Sequence, residues 1–191
     1  MELFRFGVKV AATGLEQVAP EALINTFHRW IQDGVLEDLL LDVADYSHVF
    51  QGPGVMLVAH EGNYSVDDSG GRRGLAYYSK REMEGDLEAR LARVCRRAFR
   101  ACSLLEEPGA LGPSVSFRAS ELEFFSNDRL LAPNTDGTLE AMQPAMATVL
   151  GRLFAGSGWK LAREPDPAER FRVSIRADNA LGAGEALARL A

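Results

Sequence analysis

Between residues 42 and 68 the sequence gathers Asp42, Asp45, His48, His60, Glu61, Asp67 and Asp68. These are the residue types of a metal centre or an acid–base pair. Strand geometry disperses them. If the segments before and after Gly52-Pro53-Gly54 pair as a hairpin, Ala44 faces Val55. His60 then faces about Leu39, with His48 at the opposite end, ~20 Å away along the strands. A second hairpin folded about Ser69-Gly70 brings His60 near Ser79 and carries Asp67 to the far tip.

One neighbourhood survives. His60 and Glu61 follow an apolar strand, and the hairpin partner brings Tyr78 and Lys80 alongside. A histidine oriented by a carboxylate, with a phenol and an amine across the strand, has the groups for general acid–base catalysis without a cofactor. The same residues would also make an ordinary hydrogen-bonded sheet edge.

The remaining polar features point to binding. Arg90, Arg93, Arg96, Arg97 and Arg100 crowd one helix, whose start carries Glu84, Asp86 and Glu88, an order that complements the helix dipole. Arg93 and Arg97 are candidate anion-binding residues. The one aromatic residue among these arginines, Phe99, belongs to the apolar stripe, and the chain as a whole is acidic, which argues against nucleic acid. Gly70-Gly71-Arg72-Arg73-Gly74 opens no helix and reads as a hairpin tip rather than a phosphate loop. The Gly-x-Ser-x-Gly elbow, the Walker A frame, the dinucleotide glycine triplet and Cys-x-x-Cys are all missing. No cofactor or metal is expected. Cys95 and Cys102 lie seven apart on one helix face, ~10 Å between Cα atoms, too far to bridge.

The elements that must position these groups are legible from periodicity. Phe4, Phe6, Val8 and Val10 alternate as a strand. Pro20 opens a helix carrying Leu23, Ile24, Phe27, Trp30 and Ile31, and Gly34 ends it. Leu39–Ala44 and Val55–Ala59 are nearly continuous apolar runs and read as central strands covered on both faces. Leu75–Ser79 is a further strand. A helix over about 84–105 has a continuous stripe from Leu87 to Leu105. Val115–Phe125 is a strand, and Asn127-Asp128 turns it towards a hairpin partner at Leu130-Leu131. Pro144 marks the first turn of a helix ending at Phe154. Strands at Trp159–Leu161 and Phe171–Ile175 and a short helix over 185–190 close the chain.

This order predicts an α+β fold, a mainly antiparallel sheet with about three packed helices, possibly two ferredoxin-like halves. Residues 1–191 are expected to form one compact domain, with possible sub-halves 1–107 and 113–191.

Composition sets the outer limits. The chain has 191 residues, is 47% hydrophobic and has a net charge of −6, the profile of a soluble globular protein. No apolar run approaches the ~18–20 residues that span a bilayer, and no signal-peptide pattern opens the chain, so a cytoplasmic location is expected. Charge is uneven: residues 1–71 hold 3 basic and 11 acidic side chains, and residues 72–100 hold 9 and 4. The functional expectation is a non-catalytic binding or assembly module. A protein partner or self-association is favoured over nucleic acid, with a small-molecule ligand allowed and no membrane. The alternative is a cofactor-free enzyme centred on His60 and Glu61.

Overall fold

The computed structural model describes residues 2–50 and 52–191. Eight strands form one antiparallel sheet: β1 (Phe6–Thr13), β2 (Leu40–Tyr46), β3 (Gly54–Ala59), β4 (Gly62–Asp67), β5 (Gly74–Ser79), β6 (Ser116–Ser126), β7 (Trp159–Arg163) and β8 (Arg172–Ala177). Their order is β2-β3-β4-β5-β1-β6-β8-β7. Four helices join them: α1 (Pro20–Asp33), α2 (Leu87–Leu105), α3 (Asp136–Phe154) and α4 (Ala183–Arg189). The α+β class is as expected, the fourth helix being the short closing one. No helix among the described residues is long and apolar enough to cross a membrane.

Alternation decides which face of the sheet is covered. Val43, Leu57, Tyr64, Tyr77, Val8, Phe124 and Val173 are successive cross-strand partners. This row belongs to the main apolar cluster, together with Phe27 of α1, Phe99 of α2, Val149 of α3 and Ala186 of α4. The opposite row runs Ala44, Met56, Ser65, Ala76, Lys9, Glu123 and Ser174. It carries polar groups and faces away from that cluster. Strands before and after residues 108–112 share the sheet, because β1 pairs with both β5 and β6.

Local rules account for the helix ends. Pro20 occupies the first turn of α1, and Gly34 closes it in a left-handed conformation, φ 60°. The Asp86 side chain accepts from the Ala89 N–H and caps α2.

Four elements differ from the sequence expectation. β2 is an edge strand rather than a central one. Leu39 and Leu41 are 65% and 52% exposed, so the apolar run there marks an uncovered surface. β4 is an additional strand. It follows a two-residue turn at His60-Glu61, which lacks the glycine or asparagine that usually advertises a hairpin. Leu130 and Leu131 form no strand. Their N–H groups donate to Asp128 Oδ1 in a turn, and β6 pairs with β8 instead. Finally, α3 starts eight residues before Pro144. Thr135 caps it through the Thr138 N–H, and Pro144 sits on the exposed face, where water can take up the carbonyl that its ring leaves unpaired.

Candidate ligand-binding site

The arginines of α2 are placed by the apolar stripe beside them. Leu91, Val94, Cys95, Ala98, Phe99 and Cys102 are buried against the sheet. Arg93, Arg96, Arg97 and Arg100 follow the i, i+3, i+4, i+7 pattern and therefore share the adjacent face. They line a cavity of about 450 Å³. Its other walls are Val35, Leu36 and Glu37 from the turn between α1 and β2, Tyr64 from β4 and Leu187 from α4. Gly34 makes this turn possible by reversing the chain at the end of α1.

The four guanidinium groups are not equivalent. Arg97 Nη1 donates to Asp38 Oδ1 at 2.6 Å and to the Tyr77 hydroxyl at 2.5 Å. The Tyr64 hydroxyl donates to the other oxygen of Asp38 at 2.8 Å. The Asp38 side chain is fully buried and that of Arg97 is 17% exposed; both Asp38 oxygens are paired, while the buried Arg97 Nε has no partner. Burial raises the Asp38 carboxyl above its ordinary range, with Arg97 acting against that shift. Burial also raises the Tyr64 phenol, and pushes Tyr77 up to about 12, so both stay protonated. Arg96 reaches the Leu190 carbonyl at 3.3 Å. Arg93 and Arg100 make no ion pair among the described residues. Like charges at this spacing repel. The cavity thus pairs an apolar wall of Val35, Leu36 and Leu187 with an excess of cationic over anionic groups, four arginines against Glu37 and the buried Asp38.

The sequence-derived acid–base candidates occupy other surfaces. His60 Nδ1 and Glu61 Oε1 are 3.0 Å apart, with 44% and 40% of the side chains exposed. Lys80 donates its backbone N–H to the Glu61 carbonyl, and all three residues border an open hollow shared with Arg5, Arg81, Glu82 and Asp128. The Lys80 ammonium is lowered, first by partial burial and then by Arg81. Tyr78 lines a separate cleft on the uncovered sheet face, where its hydroxyl accepts from Asn63 Nδ2 at 2.7 Å. The structure therefore brings His60, Glu61 and Lys80 to one rim and leaves Tyr78 away from them. Asp42 is exposed beside a register shift in the β2 ladder, as suits a strand-edge aspartate. No three His, Cys, Asp or Glu side chains among the described residues converge as metal ligands.

Sequence reasoning missed a second charged cluster, on the uncovered face. Lys9, 3% exposed, donates to Asp67 Oδ1 at 2.8 Å and to the Ser69 carbonyl at 2.6 Å. Burial alone would raise the Asp67 carboxyl, but Lys9 and the Ser69 donors outweigh it and hold Asp67 below its ordinary range. Arg172 lies 3.9 Å from Glu123, 3.8 Å from Glu164 and 3.5 Å from Glu169. The Arg170 guanidinium stacks 4.1 Å above the Phe125 ring. Asp67, Ser69, Glu169, Arg170 and Arg172 border a cleft of about 530 Å³. Lys9 and Arg172 have carboxylate partners here, Arg170 donates to Asn127 Oδ1, and the Lys9 contacts hold the 69–71 turn against the sheet.

No family model matches the sequence, and neither a curated protein nor a solved structure is significantly similar to it.

Proposed function

We propose that the chain is a non-catalytic binding module whose ligand is a small organic anion, held in the cavity between α2, α4 and the turn at residues 35–37. The observation that carries this reading is the arginine face itself. Four arginines and one carboxylate residue, Glu37, line one cavity, and only Arg97 is ion-paired there with a buried carboxylate. Arg93 and Arg100 are free to grip a phosphate or carboxylate, which suits the planar fork of arginine donors. Val35, Leu36 and Leu187 offer apolar contact to the body of the same molecule. A cavity of about 450 Å³ falls in the range that encloses a metabolite-sized ligand. Guanidinium groups keep their protons throughout the physiological range, and both oxygens of Asp38 are already occupied, which favours holding a ligand over turning it over.

Titration calorimetry with phenyl phosphate and with inorganic phosphate tests the assignment. Both are expected to bind, phenyl phosphate more tightly through its ring. Arg93→Glu/Arg100→Glu is expected to weaken binding about 100-fold, since two charge-assisted contacts become repulsive. Undiminished binding by that variant would overturn the assignment.

A further inference from the structure

We propose that the free edge of the sheet at β2 is a docking strand for an extended, basic and apolar segment of a partner protein. Three observations converge on it. First, β2 pairs only with β3, so its outer side has no strand partner, and the Val43 N–H there donates to the neighbouring Asp42 carboxylate. Second, exposed large apolar side chains concentrate there. Leu39, Leu41, Tyr46, Val49 and Phe50 all fall within twelve residues of chain, and Phe50 is 90% exposed. Leu130 and Leu131 are the others among the described residues. At β7, the opposite edge, Trp159 and Leu161 are half-buried. Third, β2 is acidic. Asp42 and Asp45 are exposed and make no ion pair among the described residues, and no lysine or arginine occurs in the sequence between Arg29 and Arg72. The Asp42 and Asp45 carboxylates accept from local groups, Asp42 from the Val43 N–H and Asp45 from Ser47.

Charge selects the occupant. Aspartates on an edge normally guard against unwanted pairing, but a guard gains nothing from exposed leucine and phenylalanine beside it. Together the two features reject acidic strands and accept basic ones. A second copy is disfavoured, because antiparallel β2–β2 pairing would crowd the Asp42 and Asp45 carboxylates of both strands. β7 of a second copy is a poor alternative, since its Arg163 is already engaged by Asp136 and Asn134. A foreign segment alternating lysine or arginine with apolar residues satisfies the ladder, the apolar surface and the charge at once.

Fluorescence anisotropy with labelled peptides tests this. One peptide alternates valine with lysine, a second valine with glutamate, and a third is the lysine peptide with two central valines replaced by proline. The lysine peptide is expected to bind at least about 30-fold more tightly than either of the others. Asp42→Lys/Asp45→Lys is expected to reverse the preference towards the glutamate peptide. Both positions are exposed, and circular dichroism checks that the variant folds. Arg93→Glu/Arg100→Glu is expected to bind the lysine peptide unchanged, so the outcome is independent of the anion cavity. The proposal is overturned if the lysine peptide fails to bind at about 1 mM, a free energy near −4 kcal/mol. It is equally overturned if the proline peptide binds as well. A dimer in light scattering that Asp42→Lys/Asp45→Lys dissolves would assign the edge to a second copy instead.

Discussion

Two charged clusters lie on opposite faces of one sheet, and they are built by opposite rules. On the uncovered face Lys9, Asp67, Glu123 and Arg172 sit beside partners of opposite sign. On the helix face Arg93 and Arg100 share a cavity with two further arginines, and only Arg97 has a buried carboxylate. Matched charges hold backbone in place. Unmatched charges cost the fold repulsion and are useful when something else arrives to cancel them.

The largest expected consequence concerns stability. Lys9→Ala leaves the buried Asp67 carboxylate without its main partner and is expected to cost about 3–5 kcal/mol in urea unfolding. Replacing the pair together, as Lys9→Met/Asp67→Leu, is expected to recover much of that loss. Arg93→Ala and Arg100→Ala are expected to stay within about 0.5 kcal/mol of the wild type. If the arginines proved as costly as Lys9, the two clusters would both be structural.

The complementary loss is in ligand response. At about 100 times its dissociation constant a ligand adds about 2.7 kcal/mol, or roughly 5–10 °C of melting temperature for a chain of this length. Phenyl phosphate is expected to raise the melting temperature of the wild type and of Lys9→Met/Asp67→Leu by such an amount, and that of Arg93→Glu/Arg100→Glu by no more than about 2 °C.

The two buried aspartates are expected to respond to acid with opposite signs. Asp67 is held below its ordinary value, so the stability it contributes is complete above that value, 3.8, and is lost as pH falls through the folded value. The advantage of the wild type over Asp67→Asn should therefore shrink on acidification. Asp38 is raised by burial, so ionising it costs stability above its folded value. As pH falls from neutral through that value, the wild type should gain on Asp38→Asn. Urea midpoints across the acid range check both slopes.

The smallest effect sought is a silence. Burial pushes the Cys95 thiol up to about 12 and raises Cys102 well above its ordinary value. Neither thiol is expected to react with a disulfide reagent near pH 8 until the chain is unfolded.

What the sequence revealed follows from how far each signal reaches. Periodicity is local, so α1, α2, β1 and β8 were legible within a few residues. Neighbour order is not local. The apolar run at Leu39–Leu41 looks the same whether a strand is central or at an edge, and only the assembled sheet shows β2 uncovered. Pro144 misplaced the start of α3 because exposure, which makes an interior proline tolerable, cannot be read from a single residue type. For the proposed site, helical charge spacing made Arg93 and Arg97 candidates, and the structure places both on one cavity with Arg96 and Arg100. The partners that separate Arg97 from the rest, Asp38, Tyr64 and Tyr77, arrive from three distant segments. Lys9 read as an outward residue of an alternating strand. It does point to the uncovered face, but the 69–71 turn folds over it.

A crystal structure of the protein soaked with phenyl phosphate tests the central claim most directly. The phosphate is expected within hydrogen-bond distance of the Arg93 and Arg100 guanidinium groups, with the ring against Val35 and Leu187. A phosphate seated instead between Arg170 and Arg172 on the uncovered face, with the arginine cavity empty, would contradict it.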